Sequence, residues 1–256
     1  MAVWITGDKH GMASDLLVSF GSVANPSEND TLIVCGDFGA EYGASVNGRI
    51  KKTAKKFPGQ IVVLRGNHDT RYWSRHADSN GTPEKGWHIE VSGFQKSYWG
   101  KFLVQDKYPN IKYVHDAGGI YNIEGYNFLM IPGAFSVDKD YRLSNHLNYE
   151  PREQLTKEER LQLSYECGLW YNEIDFVCSH TAPMKLEPYL HYLFLGFINQ
   201  NKVDKTTEHW MDDIAWEIEQ GNRFKQWFFG HFHDDKAINQ YYAMLFNNVV
   251  PVERYL

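Results

Sequence analysis

Three short apolar runs near the start of the chain end alike, and this repetition limits the fold more than any other feature. Ala2–Thr6 runs into Gly7–Asp8–Lys9–His10–Gly11, Thr31–Cys35 into Gly36–Asp37–Phe38–Gly39, and Ile61–Leu64 into Arg65–Gly66–Asn67–His68–Asp69. Uncharged runs rich in β-branched residues are the mark of strands covered on both faces of a parallel or mixed sheet. Between them, Ser14–Phe20 sets Leu16, Leu17 and Phe20 on one side, as a helix would. Ser45–Phe57 reads as a second helix with Arg49, Lys51, Lys52, Lys55 and Lys56 outward, stopped by Pro58–Gly59. Strand–helix alternation predicts parallel pairing through right-handed crossovers. Such sheets bind ligands beyond the carboxyl ends of their strands, where these glycines and polar residues lie.

Further along, the pattern changes. From Asp69 to about Tyr108 no regular element is evident; Trp73, Trp87, Tyr98, Trp99 and Phe102 are scattered among turns such as Asn80–Gly81–Thr82–Pro83. About 70–110 is therefore expected to be a surface insert near the site within a single domain spanning 1–256, its aromatics forming a local mini-core. Ile111–Val114, Gly119–Ile123 and Phe128–Ile131, separated by glycine turns, read as antiparallel strands of a second sheet packed on the first. A charged loop, Val137–Arg142, follows, then a helix over Leu155–Tyr165 and a buried strand Phe176–Ser179 ending at His180. Asp204–Glu219 reads as a helix capped by Asp204 or Thr206, with Trp210, Ile214 and Ile218 on one stripe. Gln226–Phe229 leads to Gly230–His231–Phe232–His233, and two short strands, Ala243–Phe246 and Val249–Val250, close the chain.

Composition narrows the function. Hydrophobic residues make up 43% and the formal charge is -6, so no basic footprint favours nucleic acid or an anionic membrane. No run is apolar for long enough to span a bilayer, and no secretory leader is expected at Met1–Ile5. Cys35, Cys167 and Cys178 lack zinc-type spacing and suit small buried hydrophobes in a reducing compartment, so a cytoplasmic location is expected.

The chemistry lies in what the strand ends offer together. Five of them present Asp8 with His10, Asp37, Asn67 with His68, His180, and His231 with His233. Mixed carboxylate, imidazole and amide donors suit zinc, manganese or iron better than calcium. Seven candidate ligands, His68 set aside, exceed one tetrahedral site and suit two ions about 4 Å apart with a carboxylate between them. The other histidines, His76, His88, His115, His146, His191 and His209, have no partner ligands in sequence and read as structural or exposed, His146 doubling as a possible substrate contact beside Arg142.

The ordered set Gly7-Asp8-Lys9-His10-Gly11, Gly36-Asp37, Gly66-Asn67-His68-Asp69, Ser179-His180 and Gly230-His231-Phe232-His233 resembles the calcineurin-like metallophosphoesterases. The resemblance implies an α/β (α+β) fold, a four-layer α/β/β/α sandwich of two packed mixed β-sheets flanked by helices. It also implies a dinuclear centre of Mn, Fe or Zn, with Asp8, His10 and His233 on one ion, Asn67, His180 and His231 on the other, and Asp37 bridging. His68 would be the catalytic histidine beside the leaving oxygen.

One departure stands out. The family often reads Gly-Asp-x-x-Asp-Arg where this chain has Gly36-Asp37-Phe38-Gly39-Ala40-Glu41. The carboxylate that would orient the catalytic histidine and the arginine that would clamp phosphate are both missing. Asp69 is the candidate replacement for the first; Arg142, then Arg65 or Lys9, for the second. The expected activity is hydrolysis of a phosphomonoester or phosphodiester of a small molecule or nucleotide by a metal-bridging hydroxide attacking phosphorus. Protonated His68 would donate to the leaving oxygen. A metallo-nuclease and a non-catalytic binding protein that kept the fold are the alternatives.

Overall fold

The computed structural model describes residues 1–93, 100–147, 149–190 and 202–256. The first half holds β1 (Val3–Thr6), α1 (Ala13–Ser22), β2 (Thr31–Val34), α2 (Ala44–Ala54), β3 (Gln60–Val63), α3 (Tyr72–His76), β4 (Trp87–Val91), β5 (Lys101–Gln105), β6 (Ile111–Val114), β7 (Gly119–Ile123) and β8 (Tyr126–Ile131). The second holds α4 (Lys139–Ser144), α5 (Lys157–Trp170), β9 (Phe176–Ser179), α6 (Thr206–Glu219), β10 (Gln226–Phe229), β11 (Lys236–Ala237), β12 (Tyr242–Met244) and β13 (Val249–Pro251). Two mixed sheets result, ordered β13-β1-β2-β3-β6-β5-β4 and β11-β12-β10-β9-β8-β7.

Side-chain alternation decides the layers, because successive residues of a strand face opposite ways. From the first sheet Val3, Ile5, Ile33 and Val62 point inward and meet Phe128, Met130, Phe176, Cys178 and Phe228 of the second. Their neighbours Leu32, Val34, Ile61 and Val63 face outward onto Leu16 of α1, Ile50 and Ala54 of α2, and Phe57 just beyond it. On the far side Leu129, Ile131, Val177, Trp227 and Phe229 pack against Leu163 and Cys167 of α5 and Met211, Ile214 and Ile218 of α6. The four-layer α/β/β/α sandwich is therefore present. A fully buried aromatic such as Phe228 typically contributes ~3–5 kcal/mol against truncation to alanine. All three cysteines are free and buried. No helix among the described residues is long and apolar enough to cross a membrane.

Several local expectations need correction. Ile111–Val114 belongs to the first sheet, not the second: β6 runs parallel to β3 with Ile61 opposite Ile111. The Ala117–Gly118 turn is thus a crossing between sheets, and only β7 and β8 form the antiparallel hairpin. Within 69–108, β4 and β5 extend the edge of the first sheet as antiparallel strands. Their polar positions, His88 and Glu90, lie at that partly exposed edge and hide the strand pattern in the sequence. Trp73, Trp87 and Tyr108 join the outer core around Tyr113, and Phe102 joins the core between the sheets. Tyr98, Trp99 and His191 lie outside the described residues. Lys51 is 5% exposed rather than outward, its Nζ reaching Glu41 and Gln105. Residues 139–142 of the expected charged loop belong to α4, which runs on to Ser144. The α5 start is fixed by a Thr156–Glu159 capping box, whereas Asp204 accepts hydrogen bonds from the amide and hydroxyl of Thr206 ahead of α6.

Candidate metal centre

Five strands, β1, β2, β3, β9 and β10, deliver their polar tips to one place, and the backbone there is bent to do so. His10, Asp37, His231 and His233 all have left-handed φ values, of 45°, 45°, 68° and 53°. For residues with a Cβ this region costs roughly 1–2 kcal/mol each. Packing alone does not require such turns at four chemically related side chains; converging them does. Gly36 shows the accompanying close approach. Its φ is 101°, and a methyl there would lie 2.6 Å from His180 Cγ.

The donors form two overlapping groups. Asp8, His10 and His233 bring ligand atoms within 4.8 Å of one another, and so do Asp8, Asp37 and His180. Nε2 of His10 and Nε2 of His233 are 2.8 Å apart, each within 3.5 Å of Asp8 Oδ2. Asn67 Oδ1 lies 2.7 Å from His180 Nε2 and 3.1 Å from His231 Nδ1. Asp37 Oδ2 stands between the groups, 3.7 Å from both His10 Nδ1 and His180 Nε2. Other contacts hold the donors from behind. His180 Nδ1 is 2.9 Å from Cys35 O, Asp8 Oδ1 accepts from His231 N, and Asp37 Oδ1 accepts from His68 N.

Electrostatics follow from crowding charges in a buried space. Burial opposes ionisation of Asp8, yet His10, His180 and His233 hold its carboxyl well below the usual range. His10 is shifted the other way: burial lowers it, but Asp8, Asp37 and Asp69 outweigh that and raise it to about 9. His231, buried beside His180, is pushed down to about 3. Asp8 Oδ2 is buried without a hydrogen-bond partner. A buried carboxylate oxygen facing nitrogen lone pairs is a costly arrangement unless a proton or a cation sits among them. The donor set therefore fits transition-metal cations, in both ligand type and convergence.

A family model described as calcineurin-like phosphoesterase matches residues 1–235. The chain belongs to the calcineurin-like phosphoesterases, and is a phosphoester hydrolase. Among solved structures, phosphopantetheinyl hydrolase from Mycobacterium tuberculosis is 11% identical, with 96% of this chain and 89% of that one covered, at a TM-score of 0.49. A putative 5'-nucleotidase from Staphylococcus aureus is 13% identical over 98% of this chain and 50% of that one, at 0.43. A protein serine/threonine phosphatase from Saccharomyces cerevisiae is 14% identical over 96% and 67%, at 0.40. Likeness at this level carries no inference about the phosphoesterase's substrate. No curated protein sequence matches.

The remaining site candidates of the phosphoesterase separate clearly. His68 stands at the mouth, its side chain 14% exposed and Nε2 3.9 Å from Asp37 Oδ2. Asp69 does not orient it. The Asp69 carboxylate is buried and accepts from the amides of Phe38, Gly39 and Gly66 and from the Tyr72 hydroxyl. It clamps the Gly36–Gly39 loop to the Gly66 turn. Arg65 and Lys9 are unsuited to meet substrate. Arg65 is 1% exposed and donates to Glu153 O, while Lys9 Nζ donates to Phe246 O and is lowered by burial to about 8. Arg142 alone of the three acts on His68, its charge lowering the imidazole alongside burial, though Nε is paired with Asp138. His146 is exposed in a left-handed turn after α4. Glu41 does not threaten an anionic substrate, because Lys51, Arg75 and His76 surround it. Sequence reasoning passed over Ser136 and Glu153. Ser136 Oγ accepts from Asn67 Nδ2 at 2.8 Å, and Glu153 Oε1 accepts from Ser136 N at 2.9 Å. Neither residue sits in a motif, so only the folded contact exposes them.

Proposed function

We propose that this phosphoesterase hydrolyses phosphomonoesters or phosphodiesters of small molecules or nucleotides with two divalent ions of Mn, Fe or Zn. Asp8, His10 and His233 would hold one ion, Asn67, His180 and His231 the other, and Asp37 both. The observation that carries this is the meeting of Asp8, His10, Asp37, His180 and His233 in two groups that share Asp8, with Asn67 Oδ1 set between the rings of His180 and His231. When bound, such ions acidify water and neutralise charge on the phosphoryl group.

The protein's own groups do the rest. Asp8 and Asp37 are kept ionised by the histidines about them, which keeps both cradles anionic. An amide nitrogen can only donate, so the 3.3 Å contact from Asn67 Nδ2 makes His68 Nε2 an acceptor and leaves the neutral ring's proton on Nδ1. A second proton, taken up at Nε2 as the ring gives up the Asn67 contact, makes that nitrogen a donor to the leaving oxygen. Arg142, whose field reaches His68, supports a role in drawing the anionic substrate toward that ring. The -6 charge disfavours a nucleic-acid strand as substrate, and the free buried cysteines support a reducing, cytoplasmic setting.

The test is His68→Ala loaded with Mn²⁺ and assayed on para-nitrophenyl phosphate, its bis ester and single-stranded DNA. Two bound metal equivalents should remain while turnover of the esters falls ~10²–10⁴-fold. Unchanged turnover would remove His68 from the reaction. Activity of the parent on DNA alone would favour a nuclease, and inactivity on all three despite full metal loading would favour a binding protein.

A further inference from the structure

An asparagine is an ambiguous metal ligand. Its amide has nearly the same shape after a half-turn about the Cβ–Cγ bond, but one orientation offers a carbonyl oxygen and the other a positively polarised NH₂. Something must hold the oxygen inward. In this chain Asn67 is 2% exposed, with Oδ1 toward His180 and His231 and Nδ2 toward Ser136 Oγ at 2.8 Å. A serine hydroxyl could equally well donate, and would then favour the flipped amide. Glu153 fixes where that hydroxyl stands: its Oε1 accepts the Ser136 backbone amide at 2.9 Å, which holds Oγ against Asn67 Nδ2.

The arrangement is buried and anchored. Ser136 and Glu153 are 1% and 3% exposed. The Glu153 carbonyl accepts from Arg65 Nη1 at 2.6 Å, and the Arg65 carbonyl accepts from Gly133 N at 2.9 Å. Thus the loop after β8 is tied back to the same turn that carries Asn67.

We propose that Ser136, its backbone amide held by Glu153, is a positioning residue that locks the Asn67 carbonyl toward the cation shared with His180 and His231. This rests on the two-ion reading above. Loss of Ser136 leaves Nδ2 only its longer contact to His68 Nε2 and loosens the amide, so one ion is affected and the other is not. Outer groups that orient metal ligands typically change affinity by about 10–100-fold.

Titration calorimetry of the intact, metal-stripped protein with Mn²⁺ tests this, with melting of the metal-free form measured alongside. The parent should bind two ions. Ser136→Ala should weaken one by about 10–100-fold, that one being the ion abolished by His231→Ala, and keep the ion abolished by His233→Ala. Parental affinities for both ions in Ser136→Ala would overturn the proposal. So would equal loss of both ions accompanied by a fall in the metal-free melting temperature. A parent that binds fewer than two ions would instead strike the two-ion reading itself.

Discussion

Gly66→Ala probes the site without replacing a ligand. Gly66 has no left-handed φ, so the backbone itself would accept alanine. The obstacle is Asp37: an added methyl would collide with its carboxylate and backbone nitrogen, approaching Cγ to 2.6 Å. Part of the obstacle is main chain, so no rotamer change relieves it. Overpacking of this kind costs ~1–3 kcal/mol. Displacing Asp37 also strains the bond its Oδ1 accepts from His68 N, and a bond to a charged group contributes about 1.5–3 kcal/mol. A mid-range total of about 4 kcal/mol lowers the melting temperature of a domain this size by roughly 8–16 °C. Because Asp37 lies between the two donor groups, both Mn²⁺ affinities should fall together in calorimetry. Gly21→Ala is the matched control. It sits in α1 with nothing within 4 Å of the added methyl, and should gain about 0.5–1 kcal/mol. A Gly66→Ala protein that melts within a degree or two of the parent and still binds two ions would refute the close packing of turn against carboxylate.

Two further outcomes follow from buried carboxylates. Asp69→Asn replaces one of two accepting oxygens with a donor facing backbone amides of Phe38, Gly39 and Gly66, and each amide so orphaned costs ~1–3 kcal/mol; an unchanged urea midpoint would show that the clamp is absent. Glu208, which accepts from Thr181 Oγ1 beside His180, is raised by burial to about 7. Its folded form holds the proton more tightly than the unfolded chain does, so its contribution is complete below about pH 4.5 and is lost as pH rises toward 7, by up to ~1.4 kcal/mol per pH unit. Glu208→Gln should remove that decline when urea unfolding in chelator is compared at pH 5, 6 and 7, and an identical slope in parent and variant would contradict the assignment.

What could be read in advance had local causes. Parallel strands covered on both faces must be apolar throughout, which made β1, β2, β3, β9 and β10 visible. Their ends need glycine and left-handed turns, which made Asp8, His10, Asp37, His231 and His233 visible as a group. What could not be read depends on partners far along the chain. Whether Ile111–Val114 joins one sheet or the other is decided by pairing with Ile61, not by its own pattern. Glu41 looked hostile to phosphate until Lys51, Arg75 and His76 were found around it. Asp69 follows His68 in sequence, yet its side chain turns away to Phe38 and Gly39. Ser136 reaches Asn67 across 69 residues of chain, and Glu153 holds Ser136 from 17 residues further on.

Anomalous diffraction from crystals soaked in Mn²⁺ tests the central claim most directly. Two peaks about 3.5–4 Å apart are expected, with Asp37 between them, Asp8, His10 and His233 on one, and Asn67, His180 and His231 on the other. A single peak, or a pair lying away from these seven side chains, would contradict it.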